Sequence, residues 1–194
     1  AMLTKTSASV MPRARMPTRL PVVLSREEVS RVLLRLPGAM WIVGMLLYGA
    51  GLRLQECLEL RVKDVDFDLN QLLVRRGKWQ KDRRTILRGV VKEVLRAHLV
   101  EVKKQHERDL IEGVGRVVLP FALDRKYPNA STEWGWQFVF PAARICRDPA
   151  WGPPSRFHLH ESAVQKAVAR AAREAGMTKR VGPHTCRHSF ATHL

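Results

Sequence analysis

Acidic residues are scarce in this sequence: 18 Asp and Glu stand against 34 Lys and Arg in 194 residues, a formal net charge of +16. Cysteine is rarer still. Cys57, Cys146 and Cys186 are an odd number at unrelated spacings, which argues against a disulfide framework and for a reduced, cytoplasmic protein. No run reaches the roughly 18 apolar residues of a membrane span. The longest candidate, residues 38–52, is short, contains Gly38, Gly44, Gly49 and Gly51, and reads as a core helix. The first 20 residues have no long apolar stretch behind their charges, so a secretory signal is excluded. Repeats and low-complexity segments are absent as well. What is present is a foldable chain: 45% apolar residues and five tryptophans exclude intrinsic disorder. The length suits one domain, since chains of about 150 residues bury roughly 70% of their unfolded surface.

The charge is the first functional signal. A sequence pI near 10.8 on a folded domain is an electrostatic footprint for a polyanion, most often nucleic acid. Charge alone separates neither DNA from RNA nor an enzyme from a passive binder, and a solvated basic surface has the same composition.

Residues 1–20 read as a basic tail or linker: Lys5, Arg13, Arg15 and Arg19 come without an acid, and Pro12, Pro17 and Pro21 oppose helix. Order is expected from Leu24. Ser25 and Glu28 form a capping box ahead of Val29, Val32, Leu33 and Leu36, and a buried apolar helix follows from Met40 to Leu47. After the break Gly49-Ala50-Gly51, a short helix is expected from about Arg53 to Leu60. A two-stranded β-hairpin is expected next, from residues 62–74 and 84–87. Residues 90–110 have helical spacing, as do residues 159–175, and another helix begins at His184. Between them, residues 119–157 are rich in Pro and Trp and weakly periodic, with a short helix expected around 131–138; so long a stretch is usually functional. The fold class is α+β, mostly helical, with one small antiparallel sheet.

Three separated segments carry the chemistry. Gly51-Leu52-Arg53-Leu54-Gln55-Glu56 places an arginine at a helix start, where free N–H groups and a guanidinium suit a phosphate; a pair with Glu56 is the bland alternative. Gly77-Lys78-Trp79-Gln80-Lys81-Asp82-Arg83 is a basic turn able to lie along a nucleic-acid backbone, or an ordinary charged turn. His184-Thr185-Cys186-Arg187-His188-Ser189-Phe190-Ala191-Thr192-His193 puts His184, Arg187 and His188 on one helix face.

Together these segments resemble the tyrosine recombinases. More narrowly, Arg125-Lys126-Tyr127-Pro128, Trp134-x-Trp136-Gln137-Phe138-Val139-Phe140-Pro141 and Arg156-Phe157-His158-Leu159-His160-Glu161 resemble the integron integrases. The resemblance runs from about residue 20 to the end. It implies a tyrosine-recombinase catalytic domain over residues 21–194, with residues 119–157 as an integron-type insert and the C-terminal end of the domain missing. It also implies strand breakage through a 3′-phosphotyrosyl link and rejoining, with no cofactor and no metal. His158-x-His160 and His184-xxx-His188 have ligand-like spacings, but no cysteine or acid cluster accompanies them.

By the same resemblance, Arg53 and Arg187 match the two arginines that clamp the phosphate. His184 matches the histidine that hydrogen-bonds it, and Lys78 the lysine that protonates the departing 5′-oxygen. Glu56 is expected to support Arg53. Lys81, Arg83 and Lys126 are expected DNA contacts, and Trp136, Phe157 and His158 platforms for unpaired bases, with Trp134 in the core. Trp79 and Cys186 depart from the commoner residues of the family, and Cys186 is expected on the buried side of its helix. The nucleophilic tyrosine is not matched: Tyr48 lies in the apolar helix and Tyr127 in the insert. The implied partners are DNA, both folded single-stranded cassette sites and a double-stranded attachment site, and further copies of the chain on that DNA, without a membrane. A catalytically inactive DNA-binding remnant of an integrase gene is the alternative, and a basic RNA-coating protein the more distant one.

Overall fold

A computed structural model describes residues 22–75, 82–119, 123–148 and 152–194. Helix α1 (Arg26–Leu33) starts where the chemistry demands. The Ser25 side chain accepts from the Glu28 backbone, and the Glu28 carboxylate accepts from the Ser25 backbone at 2.8 Å. Helix α2 (Gly38–Gly49) is apolar nearly all round and correspondingly buried, with Val43 and Leu47 at 0% exposure. Truncating a side chain such as Leu47 there costs about 2–5 kcal/mol.

The break after α2 positions the site. Gly51 adopts φ +63°, and a Cβ there would collide with the ring of Phe190, so both conformation and space demand glycine. The chain re-enters helix as α3 (Leu54–Leu58), shorter than the span expected from the sequence. The sheet has three antiparallel strands rather than two: β1 (Val65–Asp66), β2 (Gln71–Val74) and β3 (Arg83–Ile86), in the order β1-β2-β3. The extra strand is two residues long, too short to leave an alternation in the sequence, and pairs Val65 with Leu72.

Helix α4 (Gly89–Ile111) follows, then the Pro- and Trp-rich segment 119–157, expected from the sequence to be an insert, with the four-residue α5 (Leu123–Lys126). Residues 131–138 form no α-helix. Two single 3₁₀ turns, Ala130–Thr132 and Trp134–Trp136, stand there instead, so that aromatic residues can face both core and cleft. Helices α6 (Glu161–Glu174) and α7 (Pro183–His193) complete the chain, and α2 packs against α7, α4 and α6. The Leu24 backbone donates to Ser189 Oγ at 2.9 Å, tying the segment before α1 to α7. No helix among the described residues is long and apolar enough to cross a membrane.

The insert is fastened to α4 by polar contacts as well as by packing. Arg156 grips Asp109 through two nitrogens, at 2.5 and 2.7 Å, and donates a third bond to the Ala142 carbonyl at 2.7 Å. His98 and His106 of α4 bond the Val139 and Thr132 carbonyls at 2.8 and 3.0 Å and stack on Phe140 and Trp134. Trp134 is therefore a packing residue. Burial holds both imidazoles below the ordinary histidine pKa, which favours their neutral forms.

Candidate nucleic-acid interface

Arg53 is the residue before α3, and its backbone N–H is one of the donors a helix start leaves unsatisfied. Glu56, three residues on, accepts it at 2.7 Å, and Glu56 also takes the Arg53 guanidinium at 2.6 Å. Two more arginines reach the same carboxylate from distant parts of the chain. Arg83 of β3 donates from both terminal nitrogens, at 2.8 and 2.7 Å, one to each oxygen. Arg187 of α7 lies 3.6 Å from Glu56 and donates to the Gly51 carbonyl at 2.7 Å. The glycine break thus receives Phe190 and Arg187 from one helix, and α7 cannot shift without displacing both.

Charge here is unbalanced: one carboxylate faces three guanidiniums. The Glu56 side chain is 9% exposed, whereas Arg53, Arg83 and Arg187 are 38%, 35% and 29% exposed. Burial pushes the Glu56 carboxyl up, but the hydrogen bonds from Arg83 and from the backbone and side chain of Arg53 outweigh it, and its pKa falls to about 2. Burial first, and then the neighbouring Arg53 and Arg83 charges, lower the Arg187 pKa, with Glu56 opposing them. Three cations on one carboxylate favour an anion at their exposed donors.

The sequence-predicted residues divide as follows. Arg53, Glu56 and Arg187 come together. His184 is exposed one turn before Arg187 on α7. Lys78 and Lys81 lie outside the described residues. Arg83, expected as a DNA contact, has its fork engaged by Glu56. Lys126 is exposed at the end of α5, with its Nζ 5.3 Å from the Tyr127 ring. Cys186 is buried, as its helix position implied, and burial raises its thiol pKa to about 11. Tyr48 is held by His193, its hydroxyl 3.0 Å from Nδ1.

A cleft of about 320 Å³ shares Glu56 with the arginine cluster. Its walls also carry the charged residues Glu59, Arg61, Asp64 and Arg75 and the rings of Trp136, Phe138, Phe157 and His158. The His158 ring meets Phe138 edge-on at 5.2 Å, and the Lys63 ammonium lies over the Trp136 ring. Arg61, unnoticed in the sequence, braces this wall. It donates to the Trp136 and Val118 carbonyls at 2.8 and 2.9 Å and lies 3.6 Å above the Phe138 ring. Burial lowers its pKa to about 10, so it stays a cation at neutral pH. Glu59, Lys63 and Asp64 flank it in the sequence, so nothing there sets it apart, and spacing does not connect it to Trp136. Among the described residues no three His, Cys, Asp or Glu side chains converge as a metal site would require.

With that geometry in place, comparison with known proteins is informative. The phage integrase family model matches residues 34–194. The chain belongs to the phage integrase family. An integrase/recombinase of Escherichia coli is 44% identical over 182 residues, covering 94% of this chain and 54% of that protein. A tyrosine recombinase XerA of Thermococcus kodakarensis is 31% identical, covering 93% of this chain and 51% of its own length. The chain therefore spans about half the length of the curated relatives it matches. Its fold is that of the XerA recombinase crystal structure, with a TM-score of 0.59 at 24% identity over 94% of this chain and 52% of that one. It is also similar to a XerH site-specific recombinase solved bound to its difH substrate, with a TM-score of 0.57 at 21% identity, covering 90% and 42% of the two chains.

Proposed function

We propose that this chain supplies the phosphate-binding and base-holding part of a site-specific DNA recombinase of integron-integrase type, breaking and rejoining strands through a 3′-phosphotyrosyl intermediate. One observation carries the reading: Glu56, which gathers the three arginines, also lines the cleft that holds Trp136, Phe157 and His158. In this reading a phosphate on Arg53 and Arg187 has its neighbouring nucleotides near those rings.

The chemistry follows from the charges. In phosphoryl transfer the negative charge on the non-bridging oxygens grows toward the transition state, and preorganised cations stabilise that state more than the ground state. Arg53 and Arg187 each have one terminal nitrogen engaged by protein, which leaves the rest of each planar fork for oxygens of the phosphate. His184, exposed on the same helix face as Arg187, is placed to hydrogen-bond a third oxygen. Lys78, by its match to the family motif, protonates the 5′-oxygen as the bond to phosphorus breaks, a role worth about 10²–10⁴ in rate. The nucleophile is a tyrosine outside the matched positions of these 194 residues. Tyr48 is hydrogen-bonded to His193 and Tyr127 is exposed in the insert. This polypeptide alone therefore forms no covalent adduct with a nicked suicide substrate, and an adduct at Tyr48 or Tyr127 would overturn the assignment.

The integron reading rests on the cleft. Bases leave a duplex at a cost, and stacking on aromatic faces recovers about 1–3 kcal/mol each. A folded single-stranded hairpin with unpaired bases is expected to bind more tightly than the corresponding plain duplex. Trp136→Ala is expected to shrink that preference by about fivefold, the lower end of the stacking range. Equal affinity for both DNAs, unchanged by the substitution, would leave a duplex-binding recombinase and remove the integron claim.

A further inference from the structure

Arg83 differs from the other two arginines of the cluster in how completely its fork is used. Both of its terminal nitrogens are bound to Glu56, at 2.8 and 2.7 Å, while Arg53 brings one side-chain nitrogen to that carboxylate and Arg187 only a 3.6 Å contact. Strand pairing holds it in place. Arg83 stands opposite Val74 in the β2–β3 register, and Thr85, on the same face of β3, donates to the Ala50 carbonyl at 2.9 Å. Arg88, just beyond the strand, donates to the Gly49 carbonyl at 3.1 Å. The strand is thus stitched along the segment that leads into α3, and the Arg83 fork meets Glu56 end-on through both terminal nitrogens, a bidentate pair that satisfies both carboxylate oxygens.

We propose that Arg83 is a positioning residue of the phosphate site: by occupying both Glu56 oxygens, it limits that carboxylate to one side-chain nitrogen of Arg53 and leaves Arg187 at 3.6 Å, so that the remaining donors of both stay available to a DNA phosphate. The inference rests on the phosphate-binding reading above. An isolated carboxylate beside two arginines would pair with both and compete with the phosphate for the same donors. A third, strand-anchored arginine satisfies the carboxylate and leaves net positive charge. Arg83 acts through Glu56 and makes no contact with the phosphate itself.

The test uses this chain with inorganic sulfate as the probe, a dianion throughout the mildly acidic to neutral range, with binding read from the arginine side-chain NMR signals and by calorimetry. Arg187→Ala must weaken sulfate binding; if it does not, the phosphate-binding reading fails and this inference with it. Given that, Arg83→Gln is expected to weaken binding about tenfold, because Glu56 then draws in the other two arginines. The double variant Glu56→Gln/Arg83→Gln is expected to recover to within about twofold of the unaltered chain, since no carboxylate remains to compete. Arg83→Lys, which keeps the charge but loses the fork, should fall between. The Glu56 carboxyl gives a second signature. It faces Arg53 from its own helix start, Arg83 from β3 and Arg187 from α7, and removing Arg83 should raise its pKa measurably. An Arg83→Gln chain that binds sulfate normally would overturn the proposal. So would a double variant as weak as Arg83→Gln alone, because Arg83 would then be a direct ligand or a fold requirement.

Discussion

Asp109 and Glu56 are both carboxylates held by two nitrogens of an arginine from far along the chain, yet the charge around them balances at one and not at the other. Asp109 has Arg156, both side chains are nearly enclosed at 4% and 11% exposure, and the third Arg156 nitrogen donates to a carbonyl. That enclosure leaves no access for a ligand, and the pair fastens Arg156 and its neighbours to α4. Glu56 has three arginines, each about a third exposed, and cannot satisfy them all. A buried bidentate ion pair is thus no sign of a functional site in itself. Surplus like charge held in place beside a cleft is, because that arrangement destabilises the fold unless an anion completes it.

Breaking each pair should separate the two roles. The largest effect is expected at the balanced one. Arg156→Ala leaves Asp109 enclosed with the Gln105 amide still donating to it at 2.9 Å, and should lower stability by about 3–5 kcal/mol in denaturant unfolding. Duplex binding by the molecules that remain folded should be unchanged. Arg187→Ala should do the reverse. It removes one of several like charges, so stability should move by no more than about 1 kcal/mol, while DNA affinity falls by about 1.5–3 kcal/mol, the worth of a hydrogen bond to a charged group. A loss of stability at Arg187 as large as that at Arg156 would erase the distinction.

The smallest expected effect is on acid stability. The Glu56 carboxyl has its pKa depressed from 4.5 to about 2, so its pairs contribute stability that is complete above about pH 4.5 and is lost as pH falls toward 2. Arg156 and Gln105 hold Asp109 below its ordinary value against burial, and it adds to the same acid limb. Glu56→Gln should flatten part of that limb and leave the Asp109 part in place, as urea unfolding between pH 2 and 6 would report.

Much of this contrast was legible in the sequence, but not all of it. The Ser25–Glu28 box, the apolar α2 and the glycine break are local patterns, and each appears where its chemistry required. Arg53 with Glu56 is a three-residue spacing and Arg187 follows His184 on one helix face, so both were readable as candidates. Arg83 to Glu56 spans 27 positions and depends on the strand register, which no spacing encodes. For the same reason the basic turn looked like one surface, although its last arginine turns inward. The two-residue β1 and the paired 3₁₀ turns of the insert were missed because one turn of backbone leaves no periodicity to read.

The central claim is that Arg53 and Arg187 hold one DNA phosphate. It is tested most directly by replacing the phosphates of a hairpin substrate one at a time with neutral methylphosphonate and measuring binding to the unaltered chain and to Arg187→Ala. At one position the unaltered chain should lose about tenfold or more in affinity, and Arg187→Ala, with only Arg53 left on that phosphate, should lose clearly less there. Losses from the two changes that simply add at every phosphate would place Arg187 away from the DNA backbone and contradict the account.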